Sequence, residues 1–403
     1  MNVDTMRRID HLLGVPLCLL ATPLVKLLAW LGRGRDRRPR KVLFVELSEM
    51  GSAIIVDPAM RKMQAQGAEL FFVIFAKNAP SLRLLNTVPE ENVFLIREDG
   101  LLPLALSTLR FFWWTRKQGI DTVIDLELFS RYSALLTGLS GALNRVGYHA
   151  FHNEGLYRGE MLSHRVAYNP HIHMAKNFIA LVNAVLSERA ELPYSKSLIG
   201  DEEIRLARYD ASEEELQAMR ARLREDYPDY DPAQHRLVLI NPNASELLIQ
   251  RRWMPERYVA LMQRILAEHP DVLVLITGAP AEREEAAGLK AQVGEVRCIN
   301  FAGRVKFNEL PALYSIASLM VTNDSGPGHF SAVTALATFV LFGPETPRLY
   351  GSLGNSTPIY AGLACSPCVS ASNHRKTPCQ DNVCLQAISV EQVYETILPT
   401  LAL

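Results

Sequence analysis

Residues 321–329 read V-T-N-D-S-G-P-G-H, and the chain changes character within these nine positions. An apolar run of strand length ends near Asn323, Asp324 to Gly328 is turn chemistry, and an alanine-rich helical segment is expected from about His329 to Ala337. Working outward, residues 236–241 (RLVLIN), 272–277 (VLVLIT), 298–301, 319–322 and 338–342 are further apolar runs separated by helical spacing. Buried strands alternating with helices predict a parallel sheet covered on both faces. The same alternation occurs earlier, at residues 41–47 (KVLFVEL), 70–76 (LFFVIFA), 92–96 and 122–127. The expected class is therefore α/β, with two Rossmann-like doubly wound domains facing a central cleft lined by strand carboxyl ends, where ligands of such sheets bind.

The chain has 403 residues, too many for one ordinary core. The predicted organisation is an apolar and basic N-terminal segment (1–40), a first domain (41–200), a charged linker (201–235) ending in DYPDYDPAQH, a second domain (236–388) and a C-terminal helix (389–403) able to cross back to the first domain. Hydrophobic residues at 48% and charged residues at 21% are the balance of a folded enzyme with a large interior. Lys plus Arg at 42 nearly cancels Asp plus Glu at 43, so no basic field exists to attract nucleic acid, and that class of partner is excluded.

Residues 12–31 (LLGVPLCLLATPLVKLLAWL) are apolar over almost a bilayer's thickness but are interrupted by Pro16, Pro23 and Lys26. A basic block, Arg33, Arg35, Arg37, Arg38, Arg40 and Lys41, follows and suits anionic headgroups. No cleavage site marks a removed signal peptide. Two readings stand: a monotopic or re-entrant membrane anchor, or a helical pair packed on the protein itself. Either leaves the body in the cytoplasm, and the anchor reading places it peripherally on the cytoplasmic face of the membrane.

The opening turn suits a phosphate or diphosphate, because glycines at 326 and 328 let backbone N–H groups approach a ligand and a helix start favours an anion. An ordinary strand-to-helix turn capped by Asp324 or Ser325 explains the same residues without a ligand. Other strand ends carry matching chemistry: Asn243, Ser245, Arg251 and Arg252 after residues 236–241, Gly278 and Glu282 after 272–277, and then Gly303 and Arg304. Guanidinium and backbone donors suit phosphate oxygens, and a carboxylate suits ribose hydroxyls. The plainer alternative makes Arg251 and Arg252 a solvated helix entrance and Glu282 a helix-start acid.

The run N-D-S-G-P-G-H-F-S-A followed by V-L-F-G-P, with T-G-A-P-A-E and R-R-W-M-P-E-R-Y upstream, resembles glycosyltransferase family 9, the ADP-heptose:lipopolysaccharide heptosyltransferase group. V-E-L-S-E-M-G-S-A-I-I-V-D-P-A, D-L-E-L-F-S-R-Y-S-A-L-L and R-V-G-Y resemble its first domain, so the likeness runs from about residue 41 to the C-terminus. The resemblance implies a GT-B fold, an inverting mechanism, no catalytic metal, ADP-heptose as co-substrate and a lipopolysaccharide-core or other glycolipid acceptor. It implies that Asp324 contacts the donor sugar, that Ser325, Gly326, Pro327, Gly328 and His329 form the turn holding the diphosphate, and that Glu282 meets the ribose. Arg251 takes the place of a lysine that stabilises the departing phosphate. His173, Lys176 and Arg131 fall on the acceptor side.

One position departs from the pattern. Where the family places an aspartate base in S-x-x-G-D, this chain has Ser48-Glu49-Met50-Gly51-Ser52. A serine hydroxyl cannot take a proton from an alcohol at neutral pH unaided. Glu49 in the same turn is the first substitute, with Glu127 and then Asp57 behind it. Two alternatives follow: the same fold with another nucleotide-sugar donor, or a non-catalytic sugar-nucleotide or glycan-binding protein.

Cys365, Cys368, Cys379 and Cys384 form C-x2-C-x10-C-x4-C around His374. The spacing permits a structural zinc, while a reducing cytoplasm permits free thiols.

Overall fold

The computed structural model describes residues 3–31, 37–48, 50–128, 130–151, 156–244, 246–370, 373 and 375–402. The chain divides into two units, Met1–Arg205 and Leu206–Leu403.

In unit 1 the strands are β1 (Lys41–Val45), β2 (Glu69–Phe75), β3 (Val93–Ile96), β4 (Thr122–Asp125), β5 (Asn144–Tyr148) and β6 (His164–Val166). They pair in the order β3-β2-β1-β4-β5-β6, every pair parallel. The central strands read KVLFV and ELFFVIF, apolar on both faces, because helices cover both sides. The helices are α1 (Val3–Leu12), α2 (Gly14–Leu31), α3 (Met50–Ile55), α4 (Asp57–Ala65), α5 (Leu101–Gln118), α6 (Arg131–Leu139) and α7 (Met174–Leu186).

Unit 2 repeats the plan with β7 (Arg236–Asn241), β8 (Val272–Ile276), β9 (Cys298–Asn300), β10 (Leu319–Asn323), β11 (Ala337–Phe342) and β12 (Ser356–Tyr360). Their order, β12-β11-β10-β7-β8-β9, is the same winding met again, and all pairs are parallel. Its helices are α8 (Glu213–Asp226), α9 (Pro255–Glu268), α10 (Arg283–Val293), α11 (Leu310–Ile316), α12 (Gly326–Phe330), α13 (Pro347–Tyr350), α14 (Val383–Gln386) and α15 (Val390–Leu401). In each sheet the winding direction reverses between the two middle strands, β1 and β4 in unit 1 and β7 and β10 in unit 2. A cradle opens at such a point because the connections leave to opposite sides.

Several expectations change. The charged stretch 201–235 is not a free linker: residues from Leu206 onward fold with unit 2. Ser212 and Glu215 form a capping box that starts α8, and Arg222 on α8 makes a two-pronged ion pair with Glu309 at 2.6 and 3.1 Å. The C-terminal helix α15 stays in unit 2, burying Val393, Tyr394, Ile397 and Leu401 in that unit's core. The alanine-rich helix expected over 329–337 does not form. Helix α12 starts earlier and lasts five residues, a 3-10 turn covers Ser331–Val333, and β11 already begins at Ala337. Thr334, Thr338 and Ser331 side chains bond locally there, which competes with helix continuation.

The N-terminal helices pack on unit 1. Gly14, Cys18, Ala21 and Val25 recur every three or four residues and bury against α6, where a Cβ on Gly14 would stand 2.7 Å from Arg131 Cβ. The opposite side of α2 leaves Leu17, Leu20, Leu24, Leu27, Leu28 and Leu31 exposed. Asp10 on α1 clamps the start of α6: its carboxylate accepts from the Arg131 and Tyr132 backbone N–H groups, both at 2.9 Å, and pairs with the Arg131 guanidinium at 3.3 Å. Asp10→Ala should therefore cost roughly 2–3 kcal/mol, since it strands a buried guanidinium. Denaturant unfolding together with protease sensitivity of residues 3–31 reports it, and an unchanged midpoint would show that the clamp is idle.

Candidate functional site

The site in unit 2 lies at the carboxyl ends of four neighbouring strands. β8 delivers Gly278, β7 delivers Asn243 and the loop to Arg251, β10 delivers Asp324, and β11 delivers Glu345. Asn323, the last residue of β10, ties two of these segments together. Its Nδ2 donates to the Pro242 carbonyl at 2.7 Å, while its Oδ1 accepts from Trp253 N–H and Tyr258 O–H, each at 3.0 Å. Trp253 is buried edge-on to Tyr258, so the segment carrying Arg251 is pinned from both sides. Asn323 was legible only as a strand-end asparagine, and its anchoring role appears with the tertiary contacts.

Arg251 is held in the interior between two carboxylates. Its Nη2 lies 2.6 Å from Glu345 Oε2, and its Nε lies 3.6 Å from Asp324 Oδ2. Asp324 and Glu345 are 4% and 2% exposed and act on each other's charge, and Arg375 Nε stands 3.6 Å from the second oxygen of Glu345. Burial raises the Asp324 carboxyl above its ordinary range and pushes Glu345 up to about 7, against the pull of Arg251. Burial works to lower the Arg251 pKa, but Asp324 and Glu345 outweigh it and hold the guanidinium charged. The result is a pair of buried carboxyls with raised pKa values on either side of one cation. Glu345 is a site residue that sequence reasoning missed; its one signal was an acid directly after the strand end V-L-F-G-P.

Asn243 is 4% exposed, and among the described residues neither its Oδ1 nor its Nδ2 has a hydrogen-bond partner. A buried amide left this way costs about 1–3 kcal/mol, so another molecule is its natural partner. Gly278 is the adjacent wall, since a Cβ there would stand 3.2 Å from Asn243 Nδ2 and 2.7 Å from Glu282 Oε2. Glu282 itself accepts from the Ala279 N–H at 2.6 Å. Arg252 holds the loop backbone, with Nε and Nη2 at 3.2 and 2.9 Å from the Ala244 carbonyl. Ser245 lies outside the described residues. Arg304 is turned away to Glu225 and Asp226 on α8, at 2.6 and 2.8 Å.

In the opening turn, Asp324, Ser325, Gly328 and His329 line a narrow hollow with Val340, Phe342, Tyr350 and Ser352, and Pro327 is half-buried. Both glycines are also required by the protein's own packing. A Cβ on Gly326 would strike the Phe330 ring at 2.8 Å, and one on Gly328 would press on Val340 at 3.3 Å.

In unit 1 the corresponding strand ends meet through Glu127. Its Oε1 accepts from Leu47 N–H, Ser48 N–H and Ser48 O–H at 3.0, 3.2 and 3.0 Å, latching the turn that carries Glu49 and Ser52. Burial, opposed by these hydrogen bonds and aided by nearby Asp125, raises the Glu127 carboxyl. Asp125 is buried and paired with Arg158. Glu49 lies outside the described residues; Ser52 is half-buried in α3. Asp57 is fully buried and bonded to Arg61 at 2.9 Å, so it is a structural acid. Arg131, expected to bind acceptor, is instead consumed: it is 5% exposed, with Nε on the Tyr157 carbonyl and its charge on Asp10. His173 caps α7 through Nδ1, which accepts from the Ala175 N–H, and Lys176 pairs with Asp201 at 2.7 Å; both are half-buried.

The four cysteines of the 365–384 loop are free thiols, and among the described residues no group of three or more His, Cys, Asp or Glu stands where it could hold a metal ion. The zinc expectation is therefore not met among those residues; His374 lies outside them.

Comparison with known proteins adds the context. Residues 109–377 match the family described as glycosyltransferase family 9 (heptosyltransferase). Lipooligosaccharide heptosyltransferase 2 of Campylobacter jejuni is 26% identical over 169 residues, which is 40% of this chain; the chain spans about half the length of the curated relatives it matches. The solved E. coli ADP-heptose LPS heptosyltransferase II superposes with a TM-score of 0.66 at 20% identity, covering 90% of this chain and 98% of that one. E. coli heptosyltransferase WaaC with ADP gives 0.60 at 17% identity, covering 89% and 99%. At these identities the likeness establishes the GT-B type fold of two parallel six-stranded sheets. Because the family match takes in well over half of the sequence, this chain belongs to glycosyltransferase family 9.

Proposed function

We propose that this protein is an inverting glycosyltransferase that moves a heptose from ADP-heptose onto a lipopolysaccharide-core or related envelope glycolipid, working at the cytoplasmic face of the inner membrane. Family membership supports the reaction class, and the solved relative WaaC with ADP and with ADP-2-deoxy-2-fluoro heptose supports the donor. The observation that carries the reading for this chain is the buried, unbonded Asn243 amide at the winding reversal of unit 2, beside Gly278 and Glu282.

The chemistry divides along these residues. As the acceptor oxygen attacks the anomeric carbon, the sugar gains positive charge and the departing phosphate gains negative charge. Arg251 and the 324–328 turn meet the phosphate, Asp324 faces the sugar, and Asn243 with Glu282 holds the nucleoside. Glu49 takes the acceptor proton, with Glu127 fixing its turn. His173 and Lys176 meet an acidic group on the acceptor, and the outer leucines of α2 rest on the membrane.

Titration calorimetry with ADP, ADP-heptose and UDP-sugars tests the donor. Asn243→Leu is expected to weaken ADP binding about tenfold, the equivalent of one lost buried hydrogen bond. Saturable binding of a UDP-sugar but not ADP-heptose would move the donor assignment. Binding without transfer to any acceptor would favour a non-catalytic protein.

A further inference from the structure

The outer face of α5 is the strongest feature the proposed reaction does not use. Leu104, Ser107, Phe111 and Thr115 turn inward onto the sheet of unit 1, as an amphipathic helix requires. The opposite side should then be polar, but it is not. Leu102, Leu106, Leu109 and Trp113, spaced by four, three and four residues, are 70, 47, 66 and 63% exposed, and Leu101 extends the stripe at one end. A helix apolar on both sides is built to be covered on both.

Topology sets this stripe beside the exposed face of α2. α5 joins β3 to β4 and α6 joins β4 to β5, so right-handed crossovers put both on one side of the sheet. They are bonded together, Thr108 Oγ1 to Tyr132 Oη at 2.6 Å and Arg116 Nη2 to the Leu139 carbonyl at 2.9 Å. α6 in turn backs α2 through Ala134, Leu135 and Leu139. The outer stripe of α5 and the exposed leucines of α2, which packs on α6, thus both belong to the helices on the same side of the sheet of unit 1.

Charge identifies what covers them. Across α2 and α5 there are four cations, Lys26, Arg110, Arg116 and Lys117, and no carboxylate. Each helix closes on an exposed tryptophan, Trp30 or Trp113, with Lys117 Nζ 5.0 Å above the Trp113 ring. Leucines in the middle, with indole and cation at the end, match acyl chains grading into anionic headgroups.

We propose that the outer stripe of α5, Leu102, Leu106, Leu109 and Trp113, is a second bilayer-docking surface that seats unit 1 on an anionic membrane alongside α2. The proposal rests on the reading that α2 lies on the membrane, and it adds a second line of contact, which fixes rotation about the α2 axis as one helix cannot.

Sedimentation of the full chain with phosphatidylcholine vesicles containing about 30% phosphatidylglycerol tests it, comparing wild type with L102Q/L106Q/L109Q/W113Q and with L20Q/L24Q/L27Q/L28Q. The α5 variant should lose about tenfold or more in vesicle partitioning at an unchanged melting temperature, because four apolar contacts are removed from the interface. In wild type, brominated acyl chains should quench a fluorescence component that Trp113→Phe removes. If the α5 variant partitions like wild type while the α2 variant does not, this inference falls and the membrane reading survives. If neither variant differs from wild type, the membrane reading falls with it. If wild type is a dimer that the α5 substitutions dissociate without changing partitioning, the stripe joins two copies and the inference is overturned.

Discussion

Arg251→Ala should lower the free energy of unfolding by about 3–5 kcal/mol at pH 8, because it leaves two buried carboxyl groups with their central cation gone. The pH dependence follows from Glu345. Its carboxyl is pushed up to about 7 in the folded protein, whereas an unfolded glutamate titrates near its ordinary value of roughly 4.3. Between those values the folded state binds more protons than the unfolded, so stability falls as pH rises through that window. At about 1.4 kcal/mol per unit the loss in wild type is on the order of 4 kcal/mol. Removing Arg251 takes away a group that lowers this pKa, so the defect should be smaller at pH 6 than at pH 8. Glu345→Gln should flatten the slope and recover part of the Arg251→Ala loss. Urea unfolding of the four proteins at both pH values closes the double-mutant cycle. Strict additivity would show that the two residues do not act as a unit. Under the proposed role of Arg251 at the departing phosphate, transfer activity should behave differently: Arg251→Ala costs about 10²–10³-fold in kcat, and Glu345→Gln does not restore it.

Glu49→Gln should reduce turnover by about 10²–10⁴-fold while nucleotide-sugar affinity changes by less than about twofold, the mark of a lost general base. Glu127 is the control. The Oε1 that latches Leu47 and Ser48 becomes a glutamine carbonyl in Glu127→Gln, so all three hydrogen bonds can be kept, and the expected loss is under about tenfold. Rate against pH should show one acidic limb that Glu49→Gln abolishes and Glu127→Gln leaves in place. The reverse pattern, a dead Glu127→Gln and a working Glu49→Gln, would make Glu127 the base, a role its raised pKa would suit.

Much of this was legible before any coordinates. Strands such as KVLFV, ELFFVIF, RLVLIN and VLVLI announce themselves because both of their faces are covered and must be apolar. The strands β5, β6 and β12 were not foreseen, since NRVGY, HRV and STPIY break the apolar run with polar residues or glycine. Asp324, Arg251 and Asn243 could be singled out as candidates because they follow strand ends, where parallel sheets deliver their chemistry.

The sequence by itself determined the α/β class, the repeated winding and the loops that bear the site, because hydrophobic periodicity and turn chemistry are local properties. Only the tertiary structure decided which charges are available. Arg131 and Arg304 read as binding residues in the chain but are neutralised by Asp10 and by Glu225 with Asp226, while Glu345 read as nothing and became one wall of the Arg251 pocket. A charge takes its meaning from what lies within a few ångströms after folding, and those neighbours come from 78 to 121 positions away in the chain: Arg131 from Asp10 by 121, Arg304 from Asp226 by 78.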